Sequence, residues 1–139
     1  MTQNIQSVYE KARRVEPVIR DQQIKGRLGR IKKLSQLILQ DRSRIMDVIQ
    51  KETGKSRSDA LMSEIFAVLE HLDYLQKYSK KFLSDRKVHT PIALMGKKSL
   101  VYFEPMGTVL VISPWNYPFY QAIVPITSSF IAGNATVYK

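Results

Sequence analysis

The stretch SPWNYPF, from Ser113 to Phe119, places one asparagine between two prolines where an apolar run gives way to a helical pattern. A carboxamide carries an NH₂ group that donates to a developing oxyanion without adding charge of its own. The flanking prolines restrict the backbone and favour a fixed corner. Asn116 is therefore a candidate catalytic residue. The alternative is an ordinary turn, since proline and asparagine are common turn residues and Trp115 could simply cover the end of a sheet.

A second candidate, Lys139, follows a strand-like segment at Ala135 to Tyr138. The apolar, β-branched run from Gly107 to Ser113 is typical of a strand buried on both faces of a parallel sheet. Ligands of such sheets bind beyond the carboxyl ends of the strands. We therefore expect Asn116 and Lys139 to share one edge, where a lysine suits a ribose hydroxyl or a phosphate.

A helix is predicted between these two strands. The segment from Pro118 to Ala132 has apolar residues at helical spacing, with proline in its first turn. Pro125 predicts a kink or a later start, and Gly133-Asn134 predicts a left-handed stop. Strand, helix and strand in this order make a βαβ unit with a right-handed crossover.

The residues before this unit read as a helical layer. Apolar spacing predicts helices over residues 5–20, 24–54 and 56–83. Pro17 indicates the end of the first helix or a kink, and residues 41–44 could interrupt the second. Ser56 and Asp59 resemble a capping box at the start of the third. His71 lies on the apolar side of that helix, where a partly buried structural role is expected.

Between the helices and the βαβ unit the pattern changes to that of two strands, KVHTPIAL and SLVYFEP. They are joined at MGKK, where Gly96 suits a tight turn, and Pro91 marks the first as an edge strand. The whole chain is thus predicted to be α/β. Its three parts are a helical part at 1–86, a β-hairpin at 87–104 and a βαβ unit of a Rossmann-like parallel sheet at 105–139.

Composition narrows the possible classes of protein. The chain has 139 residues, 44% of them hydrophobic, no cysteine and a net charge of +10. No apolar stretch reaches the length of a membrane span and no secretory signal is recognised, so a cytoplasmic location is expected. Without cysteine there is neither a disulfide nor a thiolate metal site, and no metal is expected. The positive charge suits a nucleic acid or an acidic lipid, but a solvated helix face is the commoner explanation because the basic residues are dispersed and no aromatics alternate with them.

The stretch EPMGTVLVISPWNYPFYQAIVPITSSFIAGNATVYK closely resembles the aldehyde dehydrogenase family. The matching residues are Glu104-Pro105, Gly107, Pro114-Trp115-Asn116-Tyr117-Pro118, Ala132-Gly133-Asn134 and Lys139. The upstream segment ETGKSRSDALMSEI is similar to the family's helix-opening segment, although the match there is looser. The resemblance implies an incomplete aldehyde dehydrogenase fold.

The resemblance also implies an activity, which is the oxidation of an aldehyde to a carboxylic acid with NAD or NADP. In the family a cysteine thiolate attacks the carbonyl, hydride leaves to nicotinamide, and a glutamate-activated water hydrolyses the thioester. Asn116 matches the residue whose side-chain amide binds the oxyanion. Cofactor contacts are implied for Ile112, Ser113, Pro114, Trp115 and Lys139. The hairpin matches part of an oligomerisation region, which implies a homo-oligomer.

The nucleophilic cysteine, the glycine-rich turn over the cofactor and the general-base glutamate are not among these residues. We therefore expect the N-terminal part of an enzyme, inactive by itself. One crossover helix is also expected to leave a face of the strand at 107–113 uncovered, with unpaired edges that invite association. Two alternatives of other classes are a non-catalytic assembly fragment and, less favoured, a basic nucleic-acid-binding helical protein.

Overall fold

The computed structural model describes residues 4–139 as a helical layer, a short hairpin and a parallel strand pair. The α-helices are α1 (Ile5–Asp21), α2 (Ile24–Thr53), α3 (Arg57–Asp59), α4 (Ala67–Phe82) and α5 (Pro118–Ile131). A π-helical segment (Ala60–Phe66) joins α3 to α4, and a 3₁₀ turn occupies Ile92–Leu94. The strands are β1 (Arg86–Val88), β2 (Ser99–Val101), β3 (Thr108–Val111) and β4 (Ala135–Tyr138). None of the helices within 4–139 combines the length and the apolar composition that a membrane crossing needs.

The helices α1 and α2 are both more continuous than the sequence suggested. Helix α1 runs through Pro17 to Asp21, so the prediction that it could end there is wrong. Its exposed side allows water to reach the carbonyl of Arg13, which the missing N–H of Pro17 leaves without a partner. Helix α2 continues through residues 41–44. Their side chains are exposed, and their helix propensities lower its stability only slightly. It ends at Gly54 in the left-handed conformation (φ 72°), as predicted.

The main core lies where α2, α4 and α5 pack together. Each helix contributes its predicted apolar face, and the buried apolar side chains include Ile31, Ile38, Ile49, Val68, Leu72 and Ile131, together with Ala60 and Ile65 of the π-helical segment. Ser56 caps the start of α3, since its side chain accepts a hydrogen bond from the Asp59 backbone N–H at 3.1 Å. The helical layer is therefore a support against which α5 is fixed.

The hairpin strands are shorter than their sequence patterns predicted. Strands β1 and β2 pair antiparallel, with Arg86 opposite Val101. The expected strand at KVHTPIAL ends at Val88, because Pro91 has no N–H to donate and is followed by the 3₁₀ turn. The connection therefore extends well beyond MGKK, although Gly96 does adopt a positive φ of 89°.

Strands β3 and β4 form a parallel pair with Thr108 opposite Ala135, which confirms the predicted βαβ unit. The Ser113 hydroxyl donates to the Gln121 carbonyl of α5 at 2.7 Å, so this side of β3 faces α5. Helix α1 packs against β4 and β3, and because strand side chains alternate it covers part of the opposite face. The expectation that only one face would be covered is thus partly wrong, although Leu110 on that face is still 60% exposed.

The Ala132-Gly133-Asn134 motif connects the end of α5 with the start of β3 by hydrogen bonds. Asn134 is buried, accepts a hydrogen bond from the Gly107 N–H at 2.9 Å and donates to the Ser129 carbonyl at 3.2 Å. Gly133 has a φ of 96°, and a Cβ there would lie 2.7 Å from Pro105 Cγ. The motif therefore fixes where β3 starts relative to the end of α5.

Candidate functional site

The corner predicted to carry the chemistry lies between the end of β3 and the start of α5. Asn116 is exposed in this corner, and Pro118 is the first residue of α5. Trp115 is 83% exposed, so it does not cover the end of the sheet as the simple-turn interpretation proposed. Pro114 is exposed as well. The corner therefore presents its side chains outward.

The corner and Lys139 lie side by side at the carboxyl end of the sheet. The Lys139 N–H donates to the Val111 carbonyl at 2.9 Å, and the Ser113 N–H donates to the Lys139 carbonyl at 3.0 Å. These two bonds continue the parallel pairing beyond both strands, placing Lys139 opposite Ile112. Asn116 follows three residues after Ser113, in the bend at residues 115–117. The structure thus brings the predicted catalytic and cofactor residues to one edge of the sheet.

Side-chain alternation divides these residues between the two faces. Ser113 faces α5, where its hydroxyl bonds to Gln121, whereas Ile112 and Lys139 face the side of α1. A groove of about 520 Å³ on that side is lined by Ile112 and Lys139 together with Leu110, Val137, Tyr138 and residues of α1. Apolar walls beside one ammonium group suit an adenine ring and its ribose hydroxyls, so these residues fit the nucleotide part of NAD or NADP.

Sequence reasoning missed the residue that holds the start of α5 in place. Glu64, in the π-helical segment, is fully buried. Its Oε2 accepts hydrogen bonds from the backbone N–H groups of Phe119 at 2.8 Å and Tyr120 at 3.2 Å. A carboxylate is favourable there because the first N–H groups of a helix lack partners and carry the positive end of its dipole. Glu64 is therefore a cap for α5 supplied from another helix.

Lys55 completes this arrangement from the other side of the carboxylate. Its Nζ donates to Glu64 Oε1 at 2.6 Å and lies 3.6 Å from the centre of the Tyr117 ring. Lys55 and Glu64 belong to ETGKSRSDALMSEI, the upstream segment already singled out. A usable signal was present, because Glu64 lies four residues after Ala60 and four before Val68, on the apolar stripe of the helix.

A second, partly buried polar contact lies between α4 and α5. The Nε2 of His71 lies 3.3 Å from the Ser128 hydroxyl. Burial lowers the pKa of His71 from its ordinary value of 6.5, while a backbone hydrogen bond at Val124 acts in the opposite direction. This agrees with a structural histidine. Residues 4–139 contain no group of three or more potential metal ligands.

The roles of the corner residues stay predictions: oxyanion binding for Asn116 and cofactor contact for Ile112, Ser113, Pro114, Trp115 and Lys139. What the structure adds is their placement. Ile112 and Lys139 share a groove, Ser113 is engaged with α5, and Pro114, Trp115 and Asn116 are exposed between the two elements.

Comparison with known proteins gives a consistent result over the whole chain. A family model described as "Aldehyde dehydrogenase family" matches residues 1–139. The 4,4'-diapolycopene aldehyde oxidase of Methylomonas sp is 37% identical over 136 residues, which cover 97% of this chain and 26% of that protein. This chain therefore spans about a quarter of the length of that curated relative.

Two solved structures have the same fold as this chain. A substrate-bound state of Staphylococcus aureus AldH superposes with a TM-score of 0.90 at 29% identity, covering 99% of this chain and 30% of that one. The succinic semialdehyde dehydrogenase of Streptococcus pyogenes, in complex with NADP+, superposes with a TM-score of 0.87 at 22% identity, again covering 99% and 30%. At that identity the second comparison shows the fold alone.

Proposed function

Because this chain belongs to the aldehyde dehydrogenase family, we propose that it is the N-terminal part of an enzyme that oxidises an aldehyde to a carboxylic acid with NAD or NADP. The observation that carries the proposal is the pairing of the Ser113 and Lys139 backbones. This pairing places the exposed corner that carries Asn116 next to the groove that contains the Lys139 ammonium group. Membership of this family is what supports NAD or NADP as the cofactor.

Asn116 is the oxyanion donor in this proposal. The carbonyl oxygen of an aldehyde gains negative charge when a nucleophile adds to its carbon, and a preorganised N–H donor stabilises that charge. The carboxamide is held on a corner whose two ends are fixed, by Ser113 on one side and by Phe119 on the other. Such a donor needs little reorganisation during the reaction.

Ile112 and Lys139 would hold the nucleotide part of the cofactor, with the apolar Ile112 side chain available to the adenosine and the Lys139 ammonium to ribose hydroxyls. When bound, the cofactor would accept the hydride. Ser113, Pro114 and Trp115 would supply further contacts at the same end of the sheet.

The remaining groups come from outside these 139 residues. The chain contains no cysteine, so it has no thiolate nucleophile, and no glutamate in it matches the general base. We propose the division predicted from the sequence: a helical part (1–86), a hairpin that contributes to a homo-oligomer (87–104) and the start of the cofactor domain (105–139). A cytoplasmic location belongs to the same proposal.

The test compares the 139-residue chain with a protein of the relatives' full length that contains it. We expect NADH or NADPH formation by the longer protein with at least one aldehyde in a panel that includes 4,4'-diapolycopene aldehyde and succinic semialdehyde. The short chain is expected to match a boiled control. Turnover by the short chain would overturn its predicted inactivity, and no turnover by the longer protein with either cofactor would overturn the proposed reaction.

A further inference from the structure

We propose that the buried Lys55–Glu64 pair is a positioning device that sets the place and the rigidity of Asn116. The proposal rests on the oxyanion role of Asn116 put forward above. Neither residue of the pair touches the reacting atoms. Both act through the backbone at the start of α5.

Helix α5 has no local cap. Its N-cap residue, Tyr117, makes no side-chain capping hydrogen bond. The first turn of a helix leaves four N–H groups without partners, and Pro118 removes one of them because it has no N–H. Glu64 accepts the next two, from Phe119 and Tyr120. The position of this helix start is therefore set by the π-helical segment, from 55 residues away in the sequence.

The π-helical segment explains how Glu64 comes to be buried. Glu64 and its neighbour Ile65 are 0% and 1% exposed. The π-helical segment Ala60–Phe66 has a wider turn than an α-helix, and such segments are often found at functional sites. Ile65 packs into the core, and Glu64 reaches α5. The local helix geometry thus allows a carboxylate and a core side chain to be buried in succession.

The Lys55–Glu64 pair contributes direction to the contact more than stability. A buried ion pair is weak evidence for stability, because apolar residues of similar volume are often as stable or more stable. The pair does, however, impose directions that an apolar contact lacks. One oxygen of Glu64 is bonded to Lys55 at 2.6 Å and the other to two N–H groups of α5. A direction-specific contact of this kind defines the corner more narrowly than packing does.

The pair also contacts the residue next to Asn116. Lys55 lies against the ring of Tyr117, the residue after Asn116, with its Nζ 3.6 Å from the ring centre. On the other side of the corner, Ser113 is bonded to Gln121 and to Lys139. Both flanks of Asn116 are therefore held, while its own side chain is exposed to a ligand.

The first experiment measures the rigidity of the corner in the 139-residue chain. Trp115 is the only tryptophan, so its fluorescence anisotropy reports directly on the residue beside Asn116. We expect Glu64→Gln and Lys55→Met each to lower the anisotropy with unchanged helical circular dichroism. Glu70→Gln, at an exposed position of α4, and Lys51→Met, at an exposed position near the end of α2, are the matched controls. Unchanged anisotropy in Glu64→Gln would overturn the proposal.

The second experiment measures catalysis in the longer protein. Glu64→Gln is expected to reduce kcat about 10- to 100-fold with the cofactor Kd unchanged, because small misplacement of a catalytic group has effects of that size. In an Asn116→Ala background the same substitution is expected to add little, since its effect acts through Asn116. If Glu64→Gln instead lowers kcat equally in both backgrounds, or weakens the binding of both the cofactor and the aldehyde, the role of Glu64 is structural and the proposal fails. If Asn116→Ala itself leaves kcat unchanged, the proposed function fails instead.

Discussion

Asn116 and Glu64 are polar side chains at the same corner that differ in exposure and in hydrogen bonding. Glu64 is 0% exposed, and both of its oxygens accept hydrogen bonds from the protein. Asn116 is exposed. A buried carboxylate with both oxygens bonded is closed to a substrate, whereas an exposed amide on a fixed corner keeps its donors. This difference agrees with the proposed roles, which are positioning for Glu64 and contact with the reacting atoms for Asn116.

Replacement of Asn116 tests the catalytic assignment. In the longer protein we expect Asn116→Ala to reduce kcat about 10²- to 10³-fold, the usual effect of removing one oxyanion donor. Asn116→Asp is expected to be at least as harmful, because a carboxylate lacks the N–H and repels the developing charge. Steady-state kinetics with a saturating aldehyde gives the answer, and Gln36→Ala, at an exposed position of α2, is the matched control. Full activity in both Asn116 variants would rule out this role.

The partial burial of His71 is expected to make the stability of the chain depend on pH. Burial holds its pKa in the folded chain below the unfolded value of 6.5. As the pH falls below 6.5, the unfolded chain takes up the proton first, so this part of the stability is present above that pH and is lost as the pH passes through the lower, folded pKa. Urea unfolding between pH 5 and 8 is expected to show this loss, and His71→Gln is expected to flatten the profile. His89→Gln, at an exposed position, is the control, and identical profiles for wild type and His71→Gln would contradict the expectation.

At the scale of the elements, two glycines with left-handed backbones end helices in different surroundings. Gly54 ends α2 with open space where a Cβ would be, whereas a Cβ at Gly133 would lie 2.7 Å from Pro105 Cγ and 2.9 Å from Arg27 Nη1. Arg27 is itself fixed, since it donates to the carbonyl of Ile19 at the end of α1. Gly133 therefore lies at a meeting point of α1, α2 and the βαβ unit.

Alanine at each glycine separates backbone strain from steric overlap. We expect Gly54→Ala to destabilise the chain by about 1–2 kcal/mol, the cost of a left-handed conformation with a Cβ. Gly133→Ala is expected to lose that amount and a further 1–3 kcal/mol, roughly the cost of overpacking. Denaturant unfolding of the two variants under the same conditions provides the comparison. Equal losses would mean that the contacts of Gly133 with Pro105 and Arg27 relax without cost.

The elements that the sequence predicted well are those defined by local signals. The apolar spacing of α2 and its glycine stop are contained within that segment, and so is the Ser56 cap of α3. The strand at KVHTPIAL was overestimated because the β-propensity of its residues does not outweigh the missing N–H of Pro91. The cap of α5 could not be predicted from local pattern, because Glu64 and Phe119 are 55 residues apart and meet only after α4 and α5 have packed. The placement of the corner after β3 was therefore predictable from its motif, whereas the long-range contact that supports it was not.

At the scale of the whole molecule, one surface of the sheet is incompletely covered within residues 4–139. Helix α1 packs mainly on β4, which leaves Leu110 of β3 60% exposed and Ile112, just beyond β3, 70% exposed on the same face. Each strand of the parallel pair also has one edge without a partner strand in the described part of the chain. Exposed apolar surface and free strand edges both favour association.

We therefore expect the 139-residue chain to associate with itself, with an apparent mass that rises with concentration in size-exclusion chromatography coupled to light scattering. Leu110→Lys is expected to shift this rise to higher concentration, because a charge on the uncovered face opposes apolar contact. Val18→Lys adds the same charge at a 68% exposed position on α1 and is expected to have a smaller effect. A monodisperse monomer at all concentrations would show that α1 and the twist of the strand pair protect this face adequately. Equal effects of the two lysines would assign the association to net charge, and this face of β3 would then have no special part in it.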